Sequence, residues 1–174
     1  MSEQILYHVD ENDQEIGQIS RLAANSNPDI IHRAVGIFVY DHNGDLLIQK
    51  RSSLKDTFPD CWDISLSGHV SYGDSYLQAA VKDIQEELGL VVPEADLLEL
   101  GKVLVKLPWE NEWRVIYRYS LPEGMTVNFP LEETSEIKFV TLSEVKEMLE
   151  NPDIKWSDKA RQLLGHFVRE WAGD

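Results

Sequence analysis

The sequence predicts an α+β protein. Apolar runs of strand length interleave with helical stretches and show no regular βα repeat. Asn43-Gly44 joins two of these runs as a hairpin turn. One long amphipathic helix, starting near Ser75, stands in the middle of the chain.

The 174 residues are 43% hydrophobic, enough for a substantial core, and their number fits one domain spanning 1–174. Ile5 to Val9 and Glu15 to Ile19 flank a polar reversal at Asp10 to Gln14 and form an N-terminal hairpin over residues 5–19. Ser20 to Asp29 reads as a loop, and Ile31 to Tyr40 and Leu46 to Lys50 as a strand pair. Trp62 to Leu66 alternates like a half-buried strand, and Ser67 to Gly73 reads as a glycine-punctuated loop. In the helix that follows, Ser75 and Gln78 fit a capping box. Leu77, Val81, Ile84 and Leu88 recur on one face, and Gly89 stops the helix. Leu97 to Leu107, Trp113 to Leu121 and Ile137 to Leu142 are further strands; Ser143 to Glu150 and Ser157 to Trp171 are helices.

The formal charge of −15 and pI near 4.6 argue against nucleic-acid polymers and anionic membranes as partners. A small phosphorylated metabolite stays compatible if a divalent cation masks the local carboxylates. Cys61 is the only cysteine, so no intrachain disulfide forms. No basic stretch followed by an apolar one opens the chain, and a cytoplasmic protein is the expectation.

At about 100° per residue, Asp83, Glu86 and Glu87 share an arc of the long helix away from its apolar stripe. Asp83 and Glu87 are like-charged i,i+4 neighbours, which repel unless a cation sits between them. Mg²⁺, which prefers hard oxygen ligands and retains waters, is the natural occupant. A solvated acidic face is the plain alternative.

Gly68, Asp74, Lys82-Asp83-Ile84, Glu86-Glu87 and Gly89-Leu90 resemble the Nudix box, and every spacing of that box matches over residues 68–90. Asp74 stands for Glu, Lys82 for Arg and Asp83 for Glu. The resemblance, which covers roughly residues 5 to 145, implies a MutT-like α/β/α sandwich with a mixed central sheet. It also implies Mg²⁺-dependent, or Mn²⁺-dependent, hydrolysis of a diphosphate linkage in a nucleoside-diphosphate-type metabolite. In that reading Gly68, Asp83, Glu86 and Glu87 serve the metal, Asp83, Glu86, Glu87 and Glu136 serve catalysis, and Asp74, Lys82 and Gly89 shape the box. Arg51, His69, Trp109 and Glu112 are substrate candidates, and homodimers are common among such relatives. Glu136 reads almost equally well as an exposed loop charge, and Trp109 and Trp113 as core or interface anchors.

A second resemblance, to isopentenyl-diphosphate isomerase, rests on Val9-Asp10-Glu11, His32, Gly68-His69 and Glu110-Asn111-Glu112. It implies a second metal at His32, His69, Glu110 and Glu112. Two positions depart: Ser67 replaces the isomerase cysteine, and Asn25 a histidine ligand. Besides the two enzyme readings, a non-catalytic metabolite-binding module stays open, because fold alone does not carry chemistry.

Overall fold

The computed structural model describes residues 3–127, 129–130 and 132–171, apart from the side chains of 169–171. The ends of the 1–174 span thus lie outside the described residues. The class is α+β, a mixed open sheet with four helices and no regular βα repeat among the described residues. None of the described helices is long and apolar enough to cross a membrane. The chain groups into two compact units, residues 1–37 with 66–118 and residues 38–65 with 119–174.

The first unit opens with the expected hairpin, β1 (Ile5–Val9) against β2 (Glu15–Ser20). Asp10 closes its turn by accepting the N–H groups of Asn12 and Gln14 at 2.8 and 2.9 Å, the Asx geometry that favours Asp at this position. Where a loop was expected, Ser20 caps a four-residue helix, α1 (Arg21–Ala24), through the N–H of Ala23. β3 (Ile31–Tyr40) follows, buried nearly throughout, and its first seven residues belong to this unit.

The first unit also departs from the sequence reading at Ser67-Gly68-His69, which are strand rather than loop. With Leu66 they form β6 (Leu66–His69), paired antiparallel with β3 in the register Ala34 to His69 and Gly36 to Ser67. Gly68 signalled a break in the sequence, but here it marks a close approach of a neighbouring side chain. The long helix α2 (Tyr76–Leu88) has the full Ser75/Gln78 capping box and a left-handed Gly89 at its end. Ile84 and Leu88 face the core, as their spacing requires. β7 (Leu98–Lys106) and β8 (Asn111–Ser120) form a hairpin, and β8 also pairs with β3. β8 starts two residues earlier than Trp113, and this places Glu112 on a strand.

The second unit holds β4 (Leu46–Arg51), β5 (Trp62–Asp63), β9 (Thr134–Val140), α3 (Leu142–Glu150) and α4 (Asp158–Trp171). β4 is its centre, paired with β9 over six positions and with β5 over two. The loop from Asp41 to Asp45 is longer than a two-residue turn, with Asp41 accepting the N–H groups of Asn43 and Asp45. Phe38 meets Phe167 edge to face at 5.7 Å, seating α4.

Candidate metal and active site

Both sets of sequence-predicted metal residues fall in the first unit, and packing treats them differently. On α2, Glu86 is exposed and Glu87 half-buried, while Asp83 is turned inward against β6. The Asp83 Oδ2 atom is buried and has no hydrogen-bond partner. Burial, reinforced by the charge of Glu86 and opposed by Arg114 and Arg21, pushes its pKa up to about 7. A carboxyl held near neutrality with an unanswered oxygen suits a cation ligand or a proton acceptor. Lys82 Nζ lies 2.7 and 2.6 Å from the two oxygens of Asp74, so the box substitutions Asp74 and Lys82 answer each other.

Gly68 explains why that position admits no side chain. A Cβ there would lie 2.0 Å from Asp83 Oδ2. Gly68→Ala is therefore expected to force the Asp83 carboxylate out of its seat, at a cost of about 1–3 kcal/mol typical of overpacking. A melting curve beside a turnover assay checks this; unchanged values in both would mean that Asp83 moves freely.

The second set converges. His32 from β3, His69 from β6, Glu110 from the β7–β8 turn and Glu112 from β8 bring one ligand atom each within 4.8 Å of one another. Among the described residues no other group of three or more His, Cys, Asp or Glu side chains does so. His32 Nε2 lies 3.4 Å from Glu110 Oε1 and 3.5 Å from Glu112 Oε2, and His69 Nε2 lies 3.6 Å from Glu110 Oε1. The two imidazoles stack with centroids 5.1 Å apart. His32 is fully buried, yet neither of its ring nitrogens makes a hydrogen bond. Burial opposes its protonation, but the two carboxylates outweigh that and hold its pKa above the ordinary value.

Those orphaned nitrogens are the test of fit for a metal. A cation with ligands at about 2.1 Å holds donor atoms up to about 4.2 Å apart, so a small inward movement would complete the set. Two imidazoles and two carboxylates make a borderline donor set that suits Mn²⁺ or Zn²⁺ better than Mg²⁺. Asn25, the residue in place of a further histidine, is exposed at the end of α1.

The remaining candidates scatter. Trp109 is 39% exposed beside Glu110. Trp113 is held as an anchor, its Nε1 donating to the Asp10 carbonyl at 3.3 Å and its ring under Lys102. Arg51 and Glu136 belong to the second unit. Arg51 there donates to Thr57 and meets Asp63, and the exposed Glu136 meets Lys138 at 3.3 Å. Sequence reasoning missed Arg114, a buried cation on β8. Its signal was present: Glu112 and Arg114 alternate on one face of a strand that otherwise buries Val115 to Tyr117.

Comparison with known proteins identifies the family and fold. A family model described as NUDIX domain matches residues 30–161. The isopentenyl-diphosphate Delta-isomerase of Streptomyces avermitilis is 32% identical over 174 residues, 97% of this chain and 87% of the relative. Isopentenyl-diphosphate Delta-isomerase I of Camptotheca acuminata is 29% identical over 94% of this chain and 80% of its own length. The chloroplastic enzyme I of Arabidopsis thaliana is matched over only 65% of its length. Among solved structures, DR0079 from Deinococcus radiodurans superimposes with a TM-score of 0.74 at 22% identity, covering 94% of this chain and 98% of that one. A MutT protein from Methanosarcina mazei reaches a TM-score of 0.62 at 19% identity, over 80% and 94% of the two chains. With the domain match spanning most of its length, the chain belongs to the Nudix family, in the branch that resembles isopentenyl-diphosphate isomerase.

Proposed function

We propose that this chain is a divalent-cation-dependent hydrolase that cleaves a diphosphate linkage in a small nucleoside-diphosphate-type metabolite, in a cytoplasmic setting. One observation carries the choice of hydrolase over isomerase. At Ser67, where the isomerase resemblance calls for a thiol, a hydroxyl oxygen accepts from Arg114 Nη1 at 2.6 Å. The chain's one thiol, Cys61, belongs to the other unit, and burial pushes its pKa up, away from the thiolate. A serine hydroxyl is poorly matched to exchanging a proton with carbon near neutral pH.

In this reading His32, His69, Glu110 and Glu112 would hold one cation, and Asp83, Glu86 and Glu87 would meet the diphosphate through a cation of their own, since carboxylates alone repel it. A bound divalent ion supplies charge stabilisation for phosphoryl oxygens and a more acidic water. Asp83, whose buried carboxyl is raised to about 7 in the metal-free chain, would be suited to accept a proton from an attacking water. The isomerase reading is favoured by the identity to the Streptomyces enzyme and by the shared quartet positions.

The experiment is a panel of nucleoside diphosphates, nucleoside triphosphates, dinucleotides, nucleotide sugars and isopentenyl diphosphate, with Mg²⁺ or Mn²⁺ and full product analysis. Release of phosphate or a nucleotide from one substrate, with no dimethylallyl diphosphate formed, supports the hydrolase. Dimethylallyl diphosphate at a rate near that of an authentic isomerase overturns it; tight binding of one ligand without turnover points to a binding module instead. The metal assignment is checked by melting: at about a hundredfold excess over Kd, Mn²⁺ is expected to add about 2.7 kcal/mol. For a chain of this size that is about 5–10 °C. Glu112→Gln should lose most of that shift if the quartet is the main site, and Glu87→Gln if the box helix is.

A further inference from the structure

Arg114 is only 2% exposed, in a stretch of β8 whose following residues are apolar. A permanent charge in such a place requires its N–H groups to be answered. Nε and Nη2 both go to one oxygen of Glu112, Oε1, at 2.8 and 2.7 Å. Nη1 is divided between the Val35 carbonyl at 2.8 Å and the Ser67 hydroxyl oxygen at 2.6 Å. One guanidinium thus grips a member of the metal-ligand quartet and a serine of the neighbouring strand at the same time.

Two consequences follow from donor and acceptor counting. With Oε1 of Glu112 engaged by the fork, Oε2 is the oxygen that faces His32, at 3.5 Å. With the Ser67 oxygen accepting from a cation, its own proton must point elsewhere, and no described residue takes it. Ser67 is exposed, and on the extended strand β6 it shares a face with His69, two residues on. A hydroxyl that accepts from a guanidinium is polarised into a stronger donor. A donor at an exposed position beside the quartet, polarised by a guanidinium, suits best an anionic oxygen on the group that the cation would also hold.

We propose that the Ser67 hydroxyl is the donor of a phosphoryl-oxygen subsite beside the His32, His69, Glu110 and Glu112 quartet, and that Arg114 is the positioning residue that aims it. The same guanidinium selects Glu112 Oε2 as the ligand atom. The proposal rests on the quartet binding a cation, as in the preceding reading, and not on which diphosphate is cleaved.

The test uses the full chain, with Mn²⁺ alone and then with methylenediphosphonate as a diphosphate that resists hydrolysis. Ser67→Ala, a change at an exposed position, is expected to leave Mn²⁺ affinity within about twofold and to weaken methylenediphosphonate binding about three- to tenfold, the effect of one lost hydrogen bond. Arg114→Lys keeps the charge without the fork. It should shift the visible spectrum of bound Co²⁺, a signature of altered coordination, and lower metal affinity by about tenfold. Undiminished methylenediphosphonate binding by Ser67→Ala overturns the subsite, as does a wild-type chain that takes up Mn²⁺ but not the diphosphonate. An unchanged Co²⁺ spectrum in Arg114→Lys overturns the positioning role. A wild-type chain that binds no Mn²⁺ overturns the quartet reading together with this one, whereas failure of the substrate panel alone leaves this subsite standing.

Discussion

Asp83→Asn is expected to depress turnover about 10²–10⁴-fold, the range for a lost acid–base group, and to change how the metal-free protein responds to pH. The second effect follows from the direction of its titration. The Asp83 pKa moves from 3.8 to about 7 on folding, because burial and Glu86 disfavour its charge. A group whose folded pKa is raised contributes fully below its unfolded pKa, and that contribution is lost as pH rises through the folded one. The parent should therefore lose stability relative to Asp83→Asn between about pH 4 and pH 7, with no further change above. The loss is on the order of 4 kcal/mol, or about 10 °C in a chain of this size. Melting scans without metal at pH 4, 6 and 8 give the measurement. A constant difference between variant and parent would show that the Asp83 charge is solvated, and a wild-type rate in the variant would remove Asp83 from the mechanism.

Asp13→Ala is expected to cost about 2–4 kcal/mol, somewhat below the range for breaking a fully buried pair because its cations are part-exposed. Asp13 is 7% exposed and held at φ 60°, a left-handed conformation that Asp tolerates better than Ala. Its carboxylate accepts from Arg33 Nε at 2.7 Å, from Tyr76 at 3.0 Å and from Lys102, and its carbonyl accepts from Arg33 Nη2 at 2.9 Å. Arg33 lies over the rings of Tyr7 and Tyr76, and Lys102 over those of Tyr76 and Trp113. Burial and the Asp13 charge push the Tyr76 phenol up, so it stays a donor. One carboxylate in the hairpin turn thus clasps β3, α2 and β7, and its removal sets two cations side by side without an anion. Asp13→Asn, which keeps the left-handed preference and an acceptor, should fall between parent and alanine in thermal unfolding. An alanine variant that melts with the parent would reduce the clasp to a surface contact.

Short-range chemistry was legible in the sequence because it is local. Ser75 and Gln78 cap α2, Gly89 ends it in a left-handed turn, and of the apolar stripe Ile84 and Leu88 are buried while Leu77 and Val81 are half-buried, with Ala79 and Ala80 completing the buried face. The box was recognised as a resemblance over consecutive positions, and the domain match bears it out. The N-terminal hairpin and the strand pair around Asn43-Gly44 followed from alternation and turn residues.

What crosses between elements was decided only by tertiary structure. Gly68 read as a loop signal, but pairing with β3 made it strand, and its missing Cβ is the space that Asp83 fills. Asp83 shared an arc with Glu86 and Glu87 by rotation alone; contact with β6 turned it inward and brought its pKa near 7. The resemblance named His32, His69, Glu110 and Glu112, but their convergence depends on the registers among β3, β6 and β8. Asn25, which stands where the isomerase resemblance calls for a histidine, is exposed at the end of α1. Asp13 carried no motif and Arg114 only its alternation with Glu112, because a buried charge declares its role through the partners that fold around it. The sequence by itself determined where α2 starts and stops and that Ile84 and Leu88 lie on its buried side, since caps and periodicity are properties of nearby residues. Which side chains would share a site was set by strand register, and register is a property of residues dozens of positions apart.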